Sequence, residues 1–464
     1  MQVILAMTKN GGIGITKTLS ETGKSVPTMA WKVPEELKLF REKTRDGILI
    51  MGRTTIESLP VLGHNRTILG LTRQTTPPST ANEVRWFSCL EQAYNYARET
   101  WPGRTIWIGG GANLYKQVLS DPWRKKVERV HLSIMTEEYP CDISINIDWS
   151  SWVYIEPPRH NTHFSHSILY HSPGDEQDYL QVLEDVLLKG QPKIGRNGKT
   201  QSLFFKTMSF DLNHGFPLLT TKKMFLRGVI EELLFFLRGD TDSTILEKKG
   251  VRIWQGNTNR EFLTNNGFPN RKPGLMGPLY GFQWRFYGAE YDEETGQPKP
   301  GQEGKDQLAE LIENIRRDPH SRRLLMTDYN PSQAQQGVLF PCHSLILQCY
   351  VRDLYLDMSV YNRSQDVFLG VPFNIASSAL LLILLSKMTG YHPGHLHMCM
   401  GDVHLYEQHL NAAREQLART RYALPRLHVN KALHNIKDLT ELKYEDFQLD
   451  HYLCHPAIHA EMIA

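Results

Sequence analysis

The sequence predicts two domains in tandem, an α/β domain followed by an α+β domain. Three observations carry that reading. The chain is 464 residues long, more than one hydrophobic core ordinarily serves. Residues 1–170 alternate short β-rich runs with helical stretches, the pattern of an α/β unit. The remainder mixes long helices with strands, and the turn Ser172-Pro173-Gly174 separates the two patterns. The domains are therefore expected at residues 1–172 and 173–464.

In the first domain, residues 3–6, 47–51, 67–71, 105–108 and 129–134 are short apolar runs predicted as buried strands. Residues 34–43 and 112–119 are predicted helices between them, and 163–171 a closing strand. Asp175 then suits an N-cap. The helix after it carries Tyr179, Leu180, Leu183, Val186 and Leu187 on one face and stops at Gly190. Beyond it, helices are expected at 226–237, 375–389 and 406–419, strands at 345–351 and 354–361, and a surface loop at 291–305.

Composition narrows the function. Apolar residues make up 41% and charged residues 22%, with a net charge of +2. That balance is ordinary for a globular protein and argues for no nucleic-acid or membrane partner. The six cysteines lack zinc or C-x-x-C spacing, so reduced thiols and no metal are expected. The N-terminus has no signal-like segment, and the apolar run 379–385 is too short to span a bilayer. Cytoplasm is the expected location.

Three N-terminal segments carry chemistry. Met51-Gly52-Arg53-Thr54-Thr55 follows a strand and opens a helix, so its amides and Arg53 can receive a phosphate. Gly109-Gly110-Gly111-Ala112 is a second such junction, where absent side chains admit a pyrophosphate. Trp31 to Phe40 places Glu36 and Phe40 four apart on one helix face. Taken alone, Glu36 reads as part of a solvated face; on an apolar face its pKa would rise and it could help deliver a proton.

In this order the segments resemble dihydrofolate reductase over residues 1 to about 170. Asn10-Gly11-Gly12-Ile13-Gly14 is similar to that family's opening loop, and Leu71-Thr72-Arg73 to its adenosine 2′-phosphate site. The resemblance implies a mixed, mostly parallel sheet with flanking helices and NADPH as cofactor. It implies that Ala6, Ile13, Gly14, Gly52, Arg53, Thr54, Thr55, Leu71, Thr72, Arg73, Gly110, Gly111, Ala112 and Tyr115 hold NADPH. Trp31, Glu36, Phe40 and Arg66 would hold folate, with Glu36 as the catalytic carboxylate. Residues 15–30 form a loop longer than the family's lid, Ala30 replaces a usual Pro, and Gly109 replaces a branched aliphatic residue.

The second domain carries Pro341-Cys342-His343 and, some twenty residues on, Arg363-Ser364-Gln365-Asp366 leading to Asn374. A thiol, a guanidinium, a carboxylate and a carboxamide suit covalent chemistry on a nucleotide. A lone cysteine in Pro-Cys-His otherwise reads as a buried structural thiol. Four further motifs join them: Gly215 to Lys223, Glu231 to Gly239, Gly277 to Arg285 and Gly401 to Tyr406. Together they resemble thymidylate synthase over residues 175–464.

The resemblance implies that Cys342, with its thiolate favoured by nearby Arg side chains, adds to C6 of the uracil of dUMP. That addition makes C5 a carbanion able to take the methylene of 5,10-methylenetetrahydrofolate. Proton loss, elimination and hydride transfer then give thymidylate and dihydrofolate, with Glu232 and Tyr280 moving protons. Arg196, Arg322, Arg323, Arg363 and Ser364 would hold the phosphate, the Arg322–Arg323 pair across a homodimer. His404 and Tyr406 would bond the ribose, and His343 and Asp366 would border the nucleotide. Asn374 would read uracil, donating to O4 and accepting from N3–H. Lys222, Trp254, Asn257, Asp366 and the tail at Ala464 would contact folate. Gln365 stands where a small residue is usual, Ser378 for Tyr, Phe235 for Trp, and Cys454 begins a Cys-His-Pro where Pro-His-Pro is usual.

The two halves are chemically complementary, since the second oxidises the folate that the first reduces. The rivals are a pyrimidine hydroxymethylase and a chain whose reductase half survives only as a scaffold or RNA-binding partner.

Overall fold

The computed structural model describes residues 1–18, 25–59, 65–74, 84–149, 151–172, 176–195 and 197–463. The chain divides into two compact units, Met1–Pro173 and Gly174–Ala464. Asp175, Arg196 and Ala464 lie outside the described residues.

The N-terminal unit is built on twelve described strands: β1 (Gln2–Met7), β2 (Gly12–Thr18), β3 (Ser25–Thr28), β4 (Ile48–Gly52), β5 (Thr67–Leu71), β6 (Val84–Phe87), β7 (Ile106–Ile108), β8 (Arg129–Met135), β9 (Ile143–Ser144), β10 (Trp152–Tyr154), β11 (Arg159–His160) and β12 (Phe164–His171). The main sheet runs β10-β12-β8-β1-β7-β4-β5-β6, with β11 beside β12. From β8 to β6 every pairing is parallel, and β12 and β10 close the sheet antiparallel. The parallel strands are apolar on both faces; Val3, Ile48, Ile50, Leu69 and Ile108 are fully buried. Helices on both faces require that composition. Those helices are α1 (Pro34–Lys43), α2 (Arg53–Ser58), α3 (Leu90–Thr100) and α4 (Ala112–Val118). Pro34 starts α1 where its missing N–H has no consequence, and Glu35 and Glu36 sit at the positive end of the helix dipole.

The expected loop 15–30 is different in kind. β2 and β3 form an antiparallel hairpin with Ile15 opposite Thr28 and Thr18 opposite Ser25. The Thr, Ile and Val residues there favour extended backbone, and pairing satisfies their amides.

The C-terminal unit opens with α5 (Gln177–Lys189), and its sheet runs β13-β14-β18-β17-β16-β15. These strands are β13 (Gln191–Gly195), β14 (Gly198–Asp211), β15 (Leu325–Thr327), β16 (Ile346–Arg352), β17 (Tyr355–Asp366) and β18 (His392–Tyr406). Only β17 and β18 pair in parallel. α6 (Leu226–Arg238) and the helix Gly370–Thr389 join the sheet in one core. The latter is apolar on all sides and long enough to cross a bilayer, yet most of it is buried inside this unit.

Two expectations in this unit need correction. Tyr406 ends β18 rather than opening a helix, which begins at Leu410 after a short turn. β17 continues past Tyr361 to Asp366, so the Arg-Ser-Gln-Asp run lies on a strand. Gly190 does end α5, but in extended backbone; a Cβ there would lie 2.4 Å from the Val186 carbonyl oxygen.

Candidate active sites

In the N-terminal unit, β4 and β7 are neighbours with Ile50 opposite Ile108. β4 ends in Gly52 and β7 is followed by Gly109–Gly111, and the two lead into α2 and α4. The Gly52 amide donates to the Gly110 carbonyl at 2.8 Å, which ties the two junctions together. A Cβ on Gly111 would lie 2.9 Å from Thr55 Oγ1, so only glycine keeps this cradle open. Beside it is a cavity of about 480 Å³ that gathers Ala6, Ile13, Gly14, Gly52, Thr54, Thr55, Gly110, Gly111, Ala112 and Tyr115 with Glu36 and Phe40.

Glu36 is 6% exposed, and burial pushes its carboxyl up to about 7. The solvated-face reading therefore fails, because α1 turns this carboxyl toward the cavity. Tyr115 donates to the Ile4 carbonyl at 2.8 Å. Gly109 lines the same cavity, and Leu49 Cδ1 would lie 2.7 Å and Met51 Cγ 3.1 Å from a Cβ placed there. Leu49 and Met51 thus fill the space of the missing branched side chain.

Several expected residues stand outside the cavity lining. Trp31 is buried against Tyr139, with ring centroids 5.6 Å apart. Arg66 donates to Thr44 Oγ1 at 2.9 Å and lies 5.6 Å from the Phe40 ring centre. Arg53 is paired with Glu57 at 2.8 Å, one turn along α2. Leu71 ends β5, Thr72 is buried and accepts from the Gln74 amide at 3.1 Å, and Arg73 is exposed.

In the C-terminal unit the Pro341-Cys342-His343 and Arg363–Asp366 segments meet. The amides of Arg363 and Ser364 donate to the Cys342 carbonyl at 2.8 and 3.2 Å. Arg363 Nε donates to the Pro341 carbonyl at 3.0 Å. The Cys342 sulfur lies 3.4 Å from the Tyr280 hydroxyl. Tyr280 stacks on His343 with centroids 4.2 Å apart and planes 11° from parallel. Tyr280 also holds φ +43°, a conformation that a bulky residue adopts only when its surroundings impose it.

Burial dominates the titration of this cluster. It pushes the Cys342 thiol up, although the Tyr280 hydroxyl and the Arg363 charge pull it down. Arg363 thus favours the thiolate as expected, but burial outweighs it. Burial likewise lowers His343 to about 4, so its ring is neutral, and raises Tyr280 well above the ordinary range. Glu232 is raised by burial to about 7 while accepting from Trp254 Nε1 at 2.8 Å.

β17 and β18 pair Asp366 with His404, which brings the Arg363–Asp366 run beside the His-x-Tyr motif. His404 Nδ1 is 3.2 Å from Asp402 Oδ1 and its ring meets that of Tyr406 edge-on. Asp366 accepts from the amides of Phe368 and Leu369 at 2.9 and 3.2 Å, closing the turn before the helix that carries Asn374. Asn374 Nδ2 donates to Gln365 Oε1 at 2.8 Å. Lys222 is buried, donates to the Phe368 carbonyl at 2.5 Å and is lowered to about 8 by burial. Asn257 is buried next to Trp254, whose carbonyl its amide reaches at 3.0 Å. Arg322 and Arg323 are exposed at the start of β15.

Residues 1–171 match the dihydrofolate reductase family and residues 177–464 the thymidylate synthase family. A bifunctional dihydrofolate reductase-thymidylate synthase of Paramecium tetraurelia is 35% identical over 99% of this chain and 98% of its own length. The chain belongs to the bifunctional dihydrofolate reductase–thymidylate synthases. A counterpart in Zea mays is 32% identical over 99% of the chain and 96% of its own length. The thymidylate synthase 1/2 of Encephalitozoon cuniculi is 45% identical over 62% of the chain and 97% of its own length. The protein is therefore an enzyme with a reductase unit and a synthase unit.

Sequence reasoning missed three groups in the synthase unit. Asp402 binds His404, Ser202 Oγ (3.0 Å) and Lys193 Nζ (3.0 Å) at once. Its signal was available, since residues two apart on a strand share a face. Asp328 is 1% exposed, and among the described residues neither carboxyl oxygen has a partner beyond its own backbone. Its charge bears on both Tyr280 and Cys342. Glu176, also buried, accepts from the amides of Thr220 and Thr221 at 2.7 and 3.0 Å and from both their hydroxyls. Nothing local in the sequence distinguishes Asp328 or Glu176 from surface carboxylates.

Proposed function

We propose that Cys342 is the nucleophile that adds to C6 of dUMP and that Asn374 reads its uracil. The 3.4 Å approach of the Cys342 sulfur to the Tyr280 hydroxyl carries this reading, because it sets a thiol beside a group able to exchange protons. Glu232, titrating near 7, can both give and take a proton at neutral pH. Arg363 and Ser364 receive the phosphate, with Arg196 as a further ligand. Asp402 holds His404 Nδ1, leaving Nε2 for the ribose, with Tyr406 beside it. Trp254, Asn257, Lys222, Asp366 and the tail at Ala464 border the 5,10-methylenetetrahydrofolate. Burial favours the protonated thiol, while the Tyr280 hydroxyl and the Arg363 charge favour its thiolate. Replacing Cys342 by Ser tests the assignment: thymidylate formation and the covalent nucleotide adduct are lost while dihydrofolate reduction persists. An adduct that survives in Cys342→Ser sinks it.

In the reductase unit the glycine cradle at Gly52 and Gly110–Gly111, where a Cβ on Gly111 would crowd Thr55, fits a dinucleotide pyrophosphate. Ala6, Ile13, Gly14, Thr54, Thr55, Ala112 and Tyr115 flank it in the cavity; Arg53, Leu71, Thr72 and Arg73 serve the adenosine end. NADPH bound there supplies a hydride. Glu36, with its carboxyl near 7, holds the folate pterin and a proton for its ring. Phe40 packs the benzoyl group, Arg66 meets the glutamate and Trp31 supports the pocket wall. NADPH oxidation with dihydrofolate, lost in Glu36→Ala, tests this half.

A homodimer completes the proposal. Leu325, Ile346, Tyr350 and Tyr361 alternate with buried neighbours and are 37–66% exposed on the outward face of the synthase sheet. Such an apolar face on a paired sheet suits a second copy of itself. Arg322 and Arg323, at the rim of that face, would reach the partner's phosphate site. Free thiols at all six cysteines suit a cytoplasmic location.

A further inference from the structure

Gln365 is the large side chain in a run where the resemblance leads one to expect a small one. It is 2% exposed on β17, and its amide has two partners. Nε2 donates to the Ser364 carbonyl at 3.1 Å, and Oε1 accepts from Asn374 Nδ2 at 2.8 Å. The order of these bonds is forced. A backbone carbonyl only accepts, so the end of the Gln365 amide that faces Ser364 must be nitrogen. Its oxygen then faces Asn374, and Asn374 must answer with its own nitrogen. One backbone carbonyl thereby sets the orientation of two amides in series.

We propose that Gln365 is a positioning residue that locks the Asn374 carboxamide in the orientation that pairs with uracil and not with cytosine. The inference rests on the reading of Asn374 as the base-reading group. With one Nδ2 hydrogen held by Gln365, Asn374 retains one N–H donor and its oxygen acceptor. Uracil offers the complement, an O4 acceptor beside an N3–H donor. Cytosine offers an amino donor beside an N3 acceptor, and an asparagine amide turned by 180° would match it. That turn would set Asn374 Oδ1 against Gln365 Oε1, two acceptors with no hydrogen between them. An unrestrained asparagine accommodates either base by rotating, whereas a restrained one rejects cytosine through the clash it would have to make.

The test measures equilibrium binding of dUMP and of dCMP to the full-length protein without folate, in the parent, Gln365→Met, Asn374→Ala and the double variant. Methionine keeps the length of glutamine and removes both hydrogen bonds. The expected result is a fall of roughly 3- to 10-fold in the dUMP-over-dCMP preference of Gln365→Met, the worth of one neutral hydrogen bond. Tighter dCMP binding should account for part of it. Asn374→Ala should abolish the preference, and Gln365→Met should then add nothing. Should Gln365→Met weaken both nucleotides equally, or leave the preference intact while Asn374→Ala removes it, the positioning role is wrong and the reading of Asn374 stands. A preference that survives Asn374→Ala overturns that reading and the inference with it. The melting transition of the synthase unit in the same chains reports folding, and Gln365→Asn, which withdraws the amide by one methylene, replaces the methionine variant if that variant does not fold.

Discussion

Glu36→Gln should stabilise the reductase unit above neutral pH and leave it unchanged in acid. The Glu36 carboxyl is raised from 4.5 to about 7, and burial is the cause. At about 1.4 kcal/mol per pH unit, this amounts to roughly 3 kcal/mol between the neutral and charged forms. A raised folded-state pKa means that the folded protein holds the proton more tightly than the unfolded chain. The contribution is thus fully present below pH 4.5 and is lost as pH rises through 7. Glutamine is the uncharged isostere and carries no such dependence. The difference between variant and parent should grow from near zero at pH 4.5 to about 1–3 kcal/mol at pH 8, the lower figure allowing for water entering the cavity. Scanning calorimetry at both pH values gives the measurement, and the reductase transition is the one that saturating NADPH moves upward. A difference that is the same at both pH values, or a Glu36→Gln chain less stable at pH 8, would refute burial as the cause.

Glu232→Gln should lower thymidylate formation by roughly 10²- to 10⁴-fold and remove the inflection near pH 7 that the parent shows in kcat; steady-state rates across pH 5.5–9 check both. Asp328→Ala should raise the melting temperature of the synthase unit, by an amount that grows as pH climbs above 3.8, because the buried carboxyl is raised far above that value and its ionisation opposes folding. A parent and variant that melt alike at pH 8 would count against it. Tyr350→Glu, which sets a charge in the exposed apolar face, should yield monomers by sedimentation and lose thymidylate formation, with dihydrofolate reduction retained. A dimer of full synthase activity would remove that face from the assembly.

The parallel strands of the reductase unit were legible because strands buried on both faces are continuous apolar runs: Ile48, Leu49, Ile50 and Met51 announce β4 without context. β14 and β18 were missed because one of their faces is exposed and polar, and their lysines and histidines break the apolar signal. The hairpin at Ile15–Thr28 was read as a loop for a related reason, since only pairing, which is not written locally, makes strands of the mixed runs Ile15–Thr18 and Ser25–Thr28. Among site residues, those in contiguous motifs were nameable from chain order alone. The burial that decides the titration of Glu36, Glu232 and Cys342 comes from segments distant in sequence. The sequence also marked Gln365 and Gly109 as departures; the hydrogen bond to Asn374 and the inward packing of Leu49 and Met51 supply their meaning.

Glu176 bears on any attempt to express the synthase half alone. Its carboxylate gathers two amides and two hydroxyls from Thr220 and Thr221, immediately before Lys222. The match to the thymidylate synthase family starts at residue 177. A gene trimmed to that boundary would therefore delete Glu176 and strand four buried donors about forty residues downstream, each unmet donor costing about 1–3 kcal/mol. A separated synthase should be cut upstream of Glu176, after Ser172.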